Sequence, residues 1–196
     1  MDMVNDNARR RSRAGMTVVE LMVALVIFGI IIGVVFGFLT ESRQSYASTR
    51  QKAQYQQGLR AVMSLVTREI RSAGCDPNSV GFESFAAADL RTFRCQMDLN
   101  GDTDTADTNP DEDVTYAFDP GTGDLTRTAG GANAVILRGL TNLQFNYYDA
   151  DGNLLNALPL SATDRAGIRS VDLVMTGETD RHEPVTYTTR IAVRNQ

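Results

Sequence analysis

The sequence is short of the side chains that most metal and acid–base chemistry draws on, with one histidine, His182, and two cysteines, Cys75 and Cys95. A zinc cluster of the His/Cys type, or a histidine-rich site, therefore cannot be built within one copy. Positive charge is scarce too. Nineteen basic against 24 acidic residues give a formal net charge of −5, which argues against a nucleic-acid binder that works by neutralising phosphates. At 196 residues there is no room for two large domains with an active site between them, and no internal repeat is evident. Yet 42% hydrophobic and 22% charged residues is an ordinary globular composition, so a substantial part of the chain folds. His182 sits in Gly177-Glu-Thr-Asp-Arg-His-Glu-Pro184, expected as an exposed hairpin loop, and no serine or cysteine nucleophile has a recognisable context around it. The chain reads as a protein that catalyses nothing.

What is present is segregated. From Leu21 to Leu39 nineteen consecutive residues, LMVALVIFGIIIGVVFGFL, carry no charge and no strongly polar group. A helix of that length spans roughly 28 Å, the thickness of a bilayer's hydrocarbon core. Ahead of it Arg9, Arg10, Arg11 and Arg13 cluster within five positions, a pattern retained on the cytoplasmic side, so the remainder of the chain is expected to face outward. No A-x-A-like cleavage site follows the apolar block, which is therefore expected to stay attached to the mature protein as more than a secretory signal. Two features exceed the needs of a plain membrane anchor. Glu20 places a carboxylate at the membrane end of the apolar helix, where a buried charge requires a cationic partner. Gly29, Gly33 and Gly37 recur every fourth residue and leave one helix face open to close approach, although glycine is also common in membrane helices generally.

These residues resemble the start of a type IV prepilin: a basic leader, Gly15, then Met16-Thr17-Val18-Val19-Glu20, then an unbroken apolar helix. Met16 stands where the family usually has phenylalanine. The resemblance implies that a prepilin peptidase cuts between Gly15 and Met16 and methylates the new α-amine. It also implies that the amine of one subunit meets Glu20 of another, so that two charges costly alone are paired in a low dielectric. Removal of residues 1–15 takes away four arginines and two aspartates, Asp2 and Asp6, and moves the formal charge from −5 to −7.

The helix is expected to continue, with 16–40 as the membrane or filament-core part and 41–74 as stalk and packing part, because Glu41 to Ala73 holds no proline. Leu59, Val62, Met63, Val66, Ile70 and Ala73 recur at spacings of three and four, the stripe of a helix packed on one side. Gly74 is a stop signal, reinforced by Cys75-Asp76-Pro77. Over 75–196 the period becomes two, as in Leu143, Phe145 and Tyr147, in Val171, Leu173 and Met175, and in Val185, Tyr187, Thr189, Ile191 and Val193. The fold class expected is α+β, a long helix packed on a mostly antiparallel sheet, which agrees with the pilin fold. Residues 57–74, Ile168 to Met175 and Tyr187 to Arg194 are similar to the corresponding segments of W-type minor pilins and of J-type pseudopilins from type II secretion.

Cys75 and Cys95 lie in the part expected outside the cytoplasm, where a disulfide would close a loop of some 20 residues and contribute about 3 kcal/mol; two unpaired buried thiols are the alternative. Residues 98–113 are dense in carboxylates. Asp98, Asn100, Asp102 and Asp104 fall at positions 1, 3, 5 and 7, the oxygen spacing that calcium requires, with Asn109 at position 12. Thr103 replaces the customary sixth-position glycine and Asn109 the customary bidentate glutamate. A solvated acidic loop is the plainer reading of the same run.

The function expected is a minor type IV pilus subunit: a single-pass inner-membrane precursor with its N-terminus in the cytoplasm, drawn by an assembly platform into a filament with other pilins. A type II secretion pseudopilin is the alternative within the same class. A membrane-anchored calcium-binding module and a competence-pilus subunit that touches DNA through Arg165, Arg169, Arg190 and Arg194 are the alternatives outside it.

Overall fold

The computed structural model describes residues 15–178 and 184–195, leaving aside the side chains of residues 47 and 48. One helix, α1 (Val18–Ser72), is followed by nine strands and a short second helix: β1 (Phe85–Ala88), β2 (Thr92–Gln96), β3 (Asp113–Asp119), β4 (Asp124–Ala129), β5 (Ala132–Leu137), β6 (Leu140–Tyr148), β7 (Leu154–Leu155), α2 (Ala162–Ala166), β8 (Ser170–Glu178) and β9 (Pro184–Ala192). The chain forms two compact units, residues 1–47 and residues 48–196. In the first, α1 is long and apolar enough to cross a membrane, and its large apolar side chains from Val18 to Leu39 are all exposed.

The second unit is α+β. Its strands make two antiparallel sheets, where the alternation alone had suggested one: β1-β2-β3-β4-β5 in chain order, and β7-β6-β8-β9. The break falls between β5 and β6, at Arg138 and Gly139, where Gly139 takes a left-handed φ of 74°. The sheets remain tied to each other. Phe145 N–H donates to Leu90 O, Leu140 N–H to Gly123 O, and Tyr147 Oη to Asp89 O. Phe93 of β2 stacks on Tyr116 of β3 and meets Phe145 of β6 edge-on at 4.7 Å.

The stripe on α1 lands where its spacing predicts. Leu59, Val62, Val66, Ile70 and Ala73 are buried in the core, and Met63 packs against it half-buried. The inward faces of β6 and β8 supply Leu143, Phe145, Tyr147, Val171, Leu173 and Met175 to the same cluster. Gly74 ends the helix with φ 71°, and its N–H leaves the helical pattern to donate to Gln96 O on β2. A Cβ at that position would lie 2.2 Å from Ser84 Oγ, so both conformation and space demand glycine there.

Inside the same stripe sits a residue that periodicity does not flag. Glu69 is 7% exposed, and its carboxylate accepts from Arg127 Nη2 at 2.7 Å and Nε at 3.1 Å while Tyr116 Oη donates to its other oxygen. Arg127 reaches on to Asp111 Oδ2 at 3.0 Å. Burial, and after it the neighbouring Glu69 charge, pushes the Tyr116 phenol well above its ordinary range. Burial works to lower the Arg127 pKa, but the hydrogen bonds and charge of Glu69 outweigh it and hold the guanidinium firmly protonated. The group joins α1 to β3 and β4 by directional bonds beside the apolar contacts of Leu59, Val62, Val66 and Ile70. Arg127→Met, which strands the Glu69 carboxylate, is expected to lower unfolding free energy by about 3–5 kcal/mol, whereas the double change Glu69→Leu with Arg127→Met costs clearly less; urea unfolding of the two variants measures the difference.

Candidate functional site

The N-terminal junction is built around a helix cap. Thr17 precedes α1, its Oγ1 accepts from Glu20 N at 3.3 Å, and its carbonyl accepts from Leu21 N at 3.1 Å. Thr17-Val18-Val19-Glu20 thus has the spacing of a capping box, a signal in plain view that the prepilin resemblance overshadows. The cap holds the helix start open, and Glu20 occupies the first turn, where a carboxylate is favoured by the helix dipole. Gly15, Met16 and Glu20 are all exposed, and nothing lies within 4 Å of where a Gly15 Cβ would be. The same open space surrounds Gly29, Gly33 and Gly37. The arginine cluster at 9–13 and His182 lie outside the described residues.

The expected Cys75–Cys95 disulfide is not formed; both thiols are free, Cys95 fully buried and Cys75 half-buried. The segment after α1 meets the end of β2 through Gly74 N to Gln96 O and Asp98 N to Cys75 O, contacts that fall beyond Cys95. Cys95 itself faces the core from the middle of a paired strand, opposite Phe85 and Val114. Burial first, then the charges of Glu69 and Asp113, raises its thiol pKa far above the ordinary value and makes it a poor nucleophile.

The arginines considered as a DNA-binding patch are largely engaged within the protein. Arg190 forms a two-pronged pair with Asp172 at 2.6 and 2.7 Å and lies over the Tyr148 ring at 4.3 Å. Arg165 donates to Phe85 O, Leu160 O and Glu83, and Arg169 donates to Ala166 O and Ile168 O.

The acidic segment is an excursion between two paired strands, closed at its base by Met97 N donating to Glu112 O and, just beyond, by the pairing of Gln96 with Asp113. Asp98 is fully buried, with Thr103 N donating to its Oδ2 at 3.1 Å and Gly101 N to its Oδ1 at 2.5 Å. Asn100 Oδ1 accepts from Asp102 N and Asp102 Oδ1 from Asp104 N, so the odd positions form successive side-chain turns. Thr103, at the position that glycine usually holds in such loops, nevertheless adopts φ 84°. Asn109 is exposed in a turn closed by the bridge between Thr108 and Asp111.

Glu112, which spacing did not single out, is fully buried. Its Oε1 accepts from Leu99 N at 2.7 Å and Asn100 N at 3.2 Å, and its Oε2 has no partner. One carboxylate oxygen each from Asp98, Asp102 and Glu112 lie within 4.8 Å of one another, and the same holds for Asp102, Asp104 and Asp107. Desolvation, and after it the charge of Asp102, raises the Asp107 carboxyl above the ordinary carboxylate range. The carboxylates on either side of Glu112 are treated differently: Asp111 pairs with Arg127, and Asp113 with Arg94.

The family described as the prokaryotic N-terminal methylation motif matches residues 10–36. Joined to the exposed apolar helix and the antiparallel sheets behind it, that motif supports a type IV prepilin-like protein, a pilin or pseudopilin in general terms. No curated protein matches the chain.

Two outcomes follow from the geometry. A thiol reagent applied to the native protein labels Cys75 well before Cys95, both react after denaturation, and intact mass does not change on reduction. Thr103→Gly relieves a left-handed backbone that costs a residue with a Cβ about 1–2 kcal/mol, and thermal unfolding should show a net gain of about 1 kcal/mol after the flexibility of glycine is offset.

Proposed function

We propose that this protein is a minor pilin, a low-abundance subunit that is processed between Gly15 and Met16, methylated on the Met16 amine, and moved from the inner membrane into a type IV pilus by an assembly platform. The observation that carries the reading is the junction at residues 15–20: an exposed glycine, four residues, then an exposed glutamate in the first turn of a helix whose large apolar side chains from Val18 to Leu39 are all exposed. Lipid covers that surface before assembly, and the corresponding helices of neighbouring subunits cover it afterwards. Cleavage creates a cationic amine at Met16. Glu20 of an adjoining subunit is its natural partner, because either charge alone is costly in an apolar bundle. A subunit docked one step out of register leaves both charges unpaired, so the pair sets spacing along the filament.

The choice of a minor over a major subunit rests on the likeness of residues 57–74, 168–175 and 187–194 to W-type minor pilins. J-type pseudopilins share that likeness, and the two readings differ only in the machine served: deletion of the gene removes surface pili in one case and stops secretion of folded exoproteins in the other. The protein's work is association, and no step of it breaks or makes a bond in a substrate.

Mass spectrometry of the protein from its native membrane is expected to give a chain that begins with methylated Met16, and a chain that retains residue 1 would sink the reading. Glu20→Ala should still be cleaved, yet enter filaments about tenfold less or lower, the ratio that corresponds to losing 1.4 kcal/mol of docking energy. Immunoblots of sheared filaments against membranes measure it.

A further inference from the structure

We propose that the excursion between β2 and β3 is a calcium site whose protein ligands are Asp98, Asp102 and Glu112, with Asp104 and Asp107 bordering it. The inference goes beyond the assembly role and is independent of it. Two observations meet here. The first is the cluster itself, with one oxygen from each of the three carboxylates inside a 4.8 Å span, two of the three residues being fully buried. The second is Glu112 Oε2, a buried carboxylate oxygen without any hydrogen-bond donor. A buried carboxylate is ordinarily given a cation or a full set of donors, since otherwise the folded state carries its whole desolvation penalty. This protein does so at the flanking positions, where Arg127 takes Asp111 and Arg94 takes Asp113. Among the described residues no arginine or lysine pairs with Asp98, Asp102 or Glu112. The missing positive charge is therefore one that comes from solution.

The donor set selects the ion. All three ligands are hard oxygen donors, which excludes a preference for soft metals. The loop gathers them from positions 1 and 5 and from a residue fourteen further on than Asp98, an irregular arrangement of the kind that calcium accepts with six to eight oxygens and that magnesium, with its strict octahedron, does not favour. Backbone amides already fix the ligands in place: Gly101 and Thr103 N–H hold Asp98, and Leu99 and Asn100 N–H hold Glu112 Oε1, which leaves Oε2 to the ion. Glu112 thus takes the closing role that spacing had given to Asn109. Binding would also secure the segment after α1, because Asn78 Nδ2 donates to Gly101 O and Asp98 N to Cys75 O.

The test uses the full chain in detergent, stripped with chelator and titrated with calcium chloride or magnesium chloride by calorimetry and by thermal unfolding. Calcium at about 5 mM, above the roughly 1 mM limit of weak extracellular sites, is expected to raise the unfolding midpoint by several degrees and to give a saturable heat, with magnesium giving a smaller shift. Asp102→Asn changes an exposed side chain and is expected to need about tenfold more calcium, the loss of one charged ligand, for the same shift. Glu112→Gln should abolish the shift, and Asp151→Asn, an exposed acid outside the loop, should leave it unchanged. The proposal is overturned if the folded wild-type protein shows neither heat nor shift, if Asp102→Asn responds like wild type, or if Asp151→Asn loses as much as Asp102→Asn. An equal response to magnesium overturns the assignment to calcium. Should Glu112→Gln fail to fold, Asp102→Asn alone decides.

Discussion

One helix has to serve two environments, and the rest of the protein is arranged around that demand. Each Å² of apolar surface left in water costs roughly 25 cal/mol, and α1 leaves every large apolar side chain from Val18 to Leu39 uncovered by its own chain. That surface is tolerable only in lipid or against other helices. Further along the same helix the opposite holds: a single stripe is buried and the remaining faces are polar, as a helix lying on a sheet requires. The change of pattern occurs without a proline in the helix.

The sheet-packing half is keyed as well as greased. Apolar stripes tolerate rotation and slippage of a helix on a sheet, but the Glu69 carboxylate is satisfied only when Arg127 and Tyr116 are in place. Tyr55 adds a second fixed point, its hydroxyl donating to Gly139 O and lying over Gly177, where any Cβ would collide with it. The cost of burying the Glu69 charge is thus offset by a defined orientation of the helix on the sheet.

Much of this was legible before any coordinates. The amphipathic stripe from Leu59 to Ala73 and the period-two faces of β6 and β8 follow from side-chain spacing, because one face is buried and the other is not, and β9 alternates in the same way between half-buried and exposed positions with Ile191 buried. Among the strands that spacing did not flag, β5 is exposed along most of its length and β1 is only four residues long, so burial imposes little pattern on them, whereas β2 alternates over only five residues. The division into two sheets escaped for a different reason, since alternation reports which face a residue occupies and is silent on which strands pair. The disulfide expectation rested on sequence separation and compartment, which say nothing of side-chain geometry, and in the structure both thiols are free. In the acidic loop, Asp98 and Asp102 were legible from spacing, and Glu112 was not, because a template of fixed length places the closing ligand by counting and this loop is longer.

Three glutamates in apolar surroundings show how much the fate of a charge depends on what the chain itself can supply. Glu69 receives an arginine from β4 and a tyrosine from β3, so its account closes within the fold. Glu112 receives two amides on one oxygen and, among the described residues, no donor on the other, a half-satisfied state that the proposed cation would complete. Glu20 receives only its own helix terminus, at a position where every neighbouring side chain is exposed. Among the described residues no cationic side chain pairs with it. In the proposed assembly the counter-charge is carried on another polypeptide, where a free chain terminus at the start of a helix would supply it without placing a second permanently charged side chain in the apolar run.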